Sequence, residues 1–99
     1  MIIRVITYHA LAGKDVLRWM QTSASELRGV KGMRRVEFVR SQSDPSQYGA
    51  IMNFRNKENL DNYIENQTGT YQALVRSLRE NWLDESKPVT EHIFEVLDI

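Results

Sequence analysis

The chain has 99 residues, with 13 Lys or Arg, 13 Asp or Glu, two His and no Cys. That is the length of a single domain, read here as 1–99, and its composition (41% hydrophobic, 26% charged) excludes wholesale disorder. The balanced charge with no basic block argues against a nucleic-acid partner, and the short apolar runs argue against a membrane-spanning one. The absence of Cys excludes disulfides, zinc–thiolate sites, iron–sulfur centres and a Cys nucleophile. Met1–Leu11 is interrupted by Arg4 and His9 and lacks a basic leader region, so it does not read as a signal peptide, and the cytoplasm is the expected compartment.

In chain order, Met1–His9 reads as a strand through Ile2, Ile3, Val5, Ile6 and Tyr8. Ala12-Gly13 ends it. Lys14–Leu27 reads as a helix, with Val16, Met20, Ala24 and Leu27 drawing one apolar stripe. Gly29 and Gly32 bracket the turn that follows. Met33–Arg40 is a second strand, and Tyr48–Arg55 a third. The turn chemistry of Ser41 to Ser46, with Asp44 before Pro45, joins them as a hairpin. A helical region from Asn56 to Asn66 carries Leu60, Tyr63 and Ile64 on one side. Thr68-Gly69-Thr70 interrupts it, and either Thr has the hydroxyl that an N-cap requires. The helix after the break carries Tyr71, Leu74, Val75, Leu78 and Trp82 as a core stripe. Val89–Leu97 is a last strand.

The order β-α-β-β-α-β predicts a ferredoxin-like α+β fold: an antiparallel four-stranded sheet with helices on one face and the first and last strands side by side. Parity then sorts the side chains. We assign the Ile3/Val5/Thr7/His9 face of the first strand and the His92/Phe94/Val96 face of the last to the helices. Arg4 then shares the other side with Glu91 and Glu95 and is placed to pair with them. That other side also carries Ile2, Ile6, Tyr8, Ile93 and Leu97, a patch that a second subunit is expected to cover.

The chain resembles the antibiotic biosynthesis monooxygenase family of dimeric α+β barrels. The resemblance lies in Val30-Lys31-Gly32-Met33 at the entry to the second strand, in Tyr48 to Leu60 across the third strand, and in Thr70-Tyr71-Gln72-Ala73-Leu74 at the later helix start. The family's strand-three segment commonly ends in Trp, a variable residue and Ser; Phe54 and Asn56 stand in those positions. The resemblance implies a homodimer packed sheet against sheet, with a pocket between sheet and helices in each subunit. Some members oxygenate aromatic polyketides with no metal or flavin, an electron-rich deprotonated substrate itself activating oxygen; no cofactor is then expected. Other members cleave haem, using an Asn in strand one, an aromatic in helix two and a His later in that helix. The matching positions are Thr7, Tyr63 and Gln72, and the missing His argues against haem cleavage. Oxygenating members use an Asn four residues before the strand-three Trp; that position is Ala50.

Seven residues are candidates for chemistry. His9 and His92 share the face assigned to the helices and are expected near one mouth of the pocket, where imidazoles can move protons at neutral pH. Two His without an assured third ligand do not make a metal site. Thr7 is placed to orient a substrate, or simply to pack. Arg35, with Glu37, forms a polar spot for a carboxylate or phenolate, or a mutual ion pair at an edge strand. Phe54, Tyr63 and Tyr71 are candidate walls of an aromatic cavity, or ordinary core. The leading expectation is a cofactor-independent monooxygenase-like enzyme acting on a small aromatic or conjugated molecule. The alternative is a non-catalytic, small-molecule-binding or regulatory homodimer of the same fold.

Overall fold

The computed structural model describes residues 1–28, 32–65 and 69–99; within its helices the side chains of residues 23–28, 69–72, 74 and 75 lie outside the description. The elements are β1 (Ile2–His9), α1 (Val16–Arg28), β2 (Met33–Arg40), β3 (Gln47–Phe54), α2 (Lys57–Glu65), α3 (Gly69–Asn81) and β4 (Thr90–Glu95). The four strands form one antiparallel sheet in the order β2-β3-β1-β4. This is the expected ferredoxin-like arrangement, with β1 and β4 adjacent.

Local chemistry sets the element boundaries. Asp15 Oδ1 accepts the Arg18 amide at 3.0 Å and Asn56 Oδ1 accepts the Asn59 amide at 2.9 Å, so each caps the helix that follows it. In the β2–β3 connection, Asp44 Oδ1 accepts both the amide of Ser46 at 2.9 Å and its hydroxyl at 2.7 Å, while Ser41 N donates to Gln47 O at 2.9 Å. Gly32 turns the chain into β2 at φ +95°, a conformation that side chains with a Cβ rarely adopt.

Strand register decides which side of the sheet the helices cover. Ile2, Arg4, Ile6 and Tyr8 lie opposite Phe54, Met52, Ala50 and Tyr48, and Met52 and Ala50 lie opposite Val36 and Phe38. Tyr8, Val36, Ala50, Met52 and Phe54 are buried with Val16, Trp19 and Met20 of α1, Leu60 and Tyr63 of α2, Leu78 of α3, and Leu83. The alternate residues form the opposite, open face: Ile3, Val5, Thr7 and His9 of β1, His92 and Phe94 of β4, Ile51 of β3, and Arg35, Glu37 and Val39 of β2.

The faces are therefore the reverse of those assigned from parity. Ile2, Ile6 and Tyr8 lie under the helices; Ile3, Val5 and Phe94 do not. On β1 alone the two parities are equally apolar. Pairing breaks the tie, because the Ile2/Ile6/Tyr8 set continues into Ala50, Met52 and Phe54, whereas the other set continues into Gly49 and Asn53 and then into charged Arg35 and Glu37. Ile64, expected beside Leu60 and Tyr63, is exposed. Of the α1 stripe, Val16 and Met20 are buried, and Ala24 and Leu27 fall outside the described side chains, as do Tyr71, Leu74 and Val75 of α3.

The helix layer is off-centre. Helix α1 packs on β2 and against α3, and α2 packs on β2 and β3. On β4 every residue except Thr90 is exposed, including Ile93, which points to the helix side at 49% exposure.

Candidate functional site

The structure distributes the sequence-derived candidates over both sides of the sheet. Phe54 and Tyr63 are on the helix side, fully buried, with ring centroids 5.4 Å apart. Thr7, His9, His92 and Arg35 are on the open face, so one cavity is not lined by all of them. The side chain of Tyr71 lies outside the described residues.

On the open face the expected meeting of the two histidines does not occur. His92 lies across from Val5, whereas His9 is four residues further along β1, roughly 13 Å at the rise of an extended strand. His92 stacks on Phe94, ring centroids 6.1 Å apart. Between the histidines, the hydroxyls of Thr7 and Thr90 are hydrogen-bonded across the β1–β4 ladder. Arg35 Nε pairs with Glu37 Oε1 at 3.0 Å, both side chains well exposed, which is the mutual ion pair of an edge strand.

His9 sits where three segments meet. Its Nε2 is 3.5 Å from Asp44 Oδ2 in the hairpin, its carbonyl accepts the amide of Asp84, and its buried Nδ1 has no hydrogen-bond partner among the described residues. The two carboxylates near it are both held below the usual carboxylate range. Hydrogen bonds from the Ser46 side chain and backbone do this for Asp44, and those from Ser86 do so for Asp84. Tyr8, on the other side of the sheet, is shifted the opposite way. Burial first, and the neighbouring Tyr48 second, push its phenol above the ordinary tyrosine value, so it is a neutral hydroxyl at physiological pH.

The helix side holds one charged group that the sequence pointed to only as half of an ion pair. Arg4 projects from the middle of β1 under the edge of the helix layer, its side chain 12% exposed. Its Nε donates to Glu91 Oε2 at 2.8 Å, and Nη2 donates to the same oxygen. Among the described residues Nη1 meets only the thioether of Met52, at 4.0 Å. The guanidinium carbon stands 5.9 Å from the centroid of the Tyr63 ring, a cation–π distance. The pairing with Glu91 follows the shared parity read from sequence. The burial does not, because it depends on which face the helices cover. The available signal was an Arg sharing parity with Ile2, Ile6 and Tyr8.

Two further concavities are visible. A cavity of about 180 Å³ opens between α1 and the hairpin end of the sheet, lined by Leu17, Met20, Phe38, Val39, Arg40 and Tyr48. A broader groove of about 510 Å³ runs along the β2 edge past Arg34, Arg35 and Glu37. Among the described residues no group of three or more His, Asp or Glu is arranged to hold a metal ion, and no helix is long and apolar enough to cross a membrane.

No protein-family model and no curated protein sequence matches the chain. Solved structures do. An antibiotic biosynthesis monooxygenase is similar over 99% of this chain and 100% of its own, with a TM-score of 0.77 and 15% identity. A Deinococcus radiodurans protein provisionally given the same name is similar over 100% of this chain and 95% of its own, with a TM-score of 0.77 and 14% identity. A Mycobacterium tuberculosis protein is similar over 99% of this chain and 96% of its own, with a TM-score of 0.75 and 16% identity. The chain has the fold of the antibiotic biosynthesis monooxygenases, from end to end. At these identities the likeness concerns the fold, and the chemistry has to be argued from the site.

Proposed function

We propose that this protein is a monooxygenase-like enzyme acting on a small aromatic or conjugated molecule held between the sheet and the helix layer. The observation that carries the reading is the opening of that layer along β4. Among the described residues no helix packs on β4, whose inner side carries Ile93 at 49% exposure, and Tyr63 stands beside Arg4, the residue across the ladder from Ile93. A ligand entering there meets the apolar surface of Ile93 and one cation, Arg4, the combination of apolar surface and a single charged group that small-molecule sites use. The likeness to structures named as monooxygenases supports the reaction class. In this reading the substrate supplies the electrons that reduce oxygen, and the protein supplies a water-poor site and a fixed positive charge for the anion that forms.

The same reading includes a homodimer through the open face. Ile3, Val5, Val39, Ile51 and Phe94 leave an apolar surface there, Phe94 being 53% exposed, and a second copy of that surface is its natural cover. The partner's position is thus transferred to the side opposite the one expected from sequence. The cytoplasm, expected from the Cys-free sequence, is part of the proposal.

A second reading keeps proton handling with His9 and His92. It is favoured by the placement of His92 and the Thr7–Thr90 hydroxyl pair on one face of the β1–β4 ladder, which the dimer would enclose.

Oxygen uptake with a panel of oxidisable phenols and anthrone-like aromatics tests both. Uptake above the protein-free rate that survives His92→Ala supports the helix-side site. Uptake that is lost in His92→Ala transfers the chemistry to the open face. Saturable binding without uptake by any compound identifies a non-catalytic binder.

A further inference from the structure

The guanidinium of Arg4 is only half used. An arginine presents five N–H donors on two edges, and each edge fits the two oxygens of a carboxylate. Glu91 occupies the Nε/Nη2 edge, and it does so through one oxygen only, Oε2. On the Nη1/Nη2 edge the sole contact among the described residues is the thioether of Met52 at 4.0 Å, a weak acceptor. A cation whose side chain is 12% exposed has lost most of its water, so a donor edge facing sulfur is costly unless an anion takes it. The guanidinium carbon stands 5.9 Å from the centroid of the buried Tyr63 ring, and Ile93, directly across the ladder from Arg4, is 49% exposed on the same side of the sheet.

We infer that the Nη1/Nη2 edge of Arg4 is a binding site for a planar aromatic carboxylate. The two carboxylate oxygens take the open edge, and the aryl ring lies on Ile93. Glu91 holds the guanidinium in place and also sets the affinity. As a carboxylate on the neighbouring edge, 45% exposed, it repels the incoming anion. The inference rests on the helix-side site proposed above and names the substrate class that site accepts.

The test is calorimetric titration of the full chain with 2-naphthoate, and with 2-naphthamide as the uncharged analogue. Wild-type protein is expected to bind naphthoate and to bind the amide at least tenfold more weakly, the usual worth of a charge-assisted pair being about one decade or more. Arg4→Met is expected to lower naphthoate affinity by about tenfold or more and to leave the amide unchanged. Glu91→Gln, at an exposed position that does not threaten folding, is expected to tighten naphthoate by about fivefold, since it removes one like charge. Naphthoate affinity unchanged in Arg4→Met, or unchanged or weakened in Glu91→Gln, overturns the inference.

The titration needs no turnover, so its failure is separable from failure of the enzyme reading. Naphthoate binding that follows these rules, with no oxygen uptake from any compound, keeps the anion site and removes the oxygenase. Oxygen uptake by the wild type, with naphthoate affinity indifferent to Arg4→Met, does the reverse.

Discussion

The rings of Phe54 and Tyr63 meet at 5.4 Å between centroids, tilted by 49°, and this contact fastens α2 to the end of β3. Tilted aromatic pairs add to what burial alone contributes, and Phe54 is fully buried. Phe54→Ala is therefore expected to cost about 3–5 kcal/mol, whereas Phe54→Leu, which keeps most of the volume, costs about 1–2 kcal/mol. Denaturant titration measures both. A loss under about 1 kcal/mol for the alanine variant would show that α2 is not anchored there.

Gly49 is required by close approach and not by an unusual φ. A Cβ at this position would stand 2.7 Å from the backbone oxygen of Ile6, which cannot move without disturbing the β1–β3 ladder. Gly49→Ala is expected to destabilise the protein by about 1–3 kcal/mol, the usual cost of overpacking. An unchanged denaturation midpoint would mean that the two strands lie further apart than described.

Acid should weaken the fold in part through two aspartates at loop turns. Asp44 and Asp84 are both held below the ordinary carboxylate value by hydrogen bonds from Ser46 and Ser86. A carboxyl with a depressed folded-state pKa contributes stability above its unfolded value, near pH 4, and loses it as pH falls through the folded value. Measured between about pH 5 and about pH 2.5, the Asp44→Asn/Asp84→Asn variant should show a shallower loss of stability than wild type. Parallel acid limbs would remove these two groups as the cause.

If the open face is covered by a second copy, a charge in place of one of its large apolar side chains must break the pair. Phe94→Glu places a carboxylate where the structure shows a half-exposed ring, and burying it unpaired costs several kcal/mol. Sedimentation should give a dimer for wild type and a monomer for the variant, both with the circular dichroism of the native fold. A wild-type monomer at micromolar concentration would contradict the sheet-to-sheet assembly.

Much of the fold was legible in the sequence because it is written in local signals. Asp44 before Pro45 marks the hairpin, and the helix expected from Asn56 starts where the Asn56 side chain accepts the Asn59 amide. Of the expected break at Thr68-Gly69-Thr70, Thr68 lies outside the described residues, and Gly69 and Thr70 belong to the first turn of α3. The choice of face was not legible from β1, where Ile3 and Val5 are as apolar as Ile2 and Ile6. It depends on neighbours two strands away, and the charged Arg35 and Glu37 on β2 carried the information. That inversion separated His9, His92, Thr7 and Arg35 from Phe54 and Tyr63. It also explains why Arg4 was read as half of an ion pair and not as a buried cation. An Arg–Glu pairing follows from shared parity, but desolvation follows only from what packs above it.

Which side of the sheet receives the small molecule is the question on which the functional account turns. Two-dimensional amide NMR on labelled protein, titrated with oxidisable phenols, anthrone-like aromatics and 2-naphthoate, answers it directly. Shifts concentrated at Arg4, Met52, Tyr63, Glu91 and Ile93 are the expected result. Shifts concentrated at Thr7, Thr90, His92 and Phe94, with Arg4 and Tyr63 unmoved, would contradict the helix-side site and transfer the chemistry to the open face.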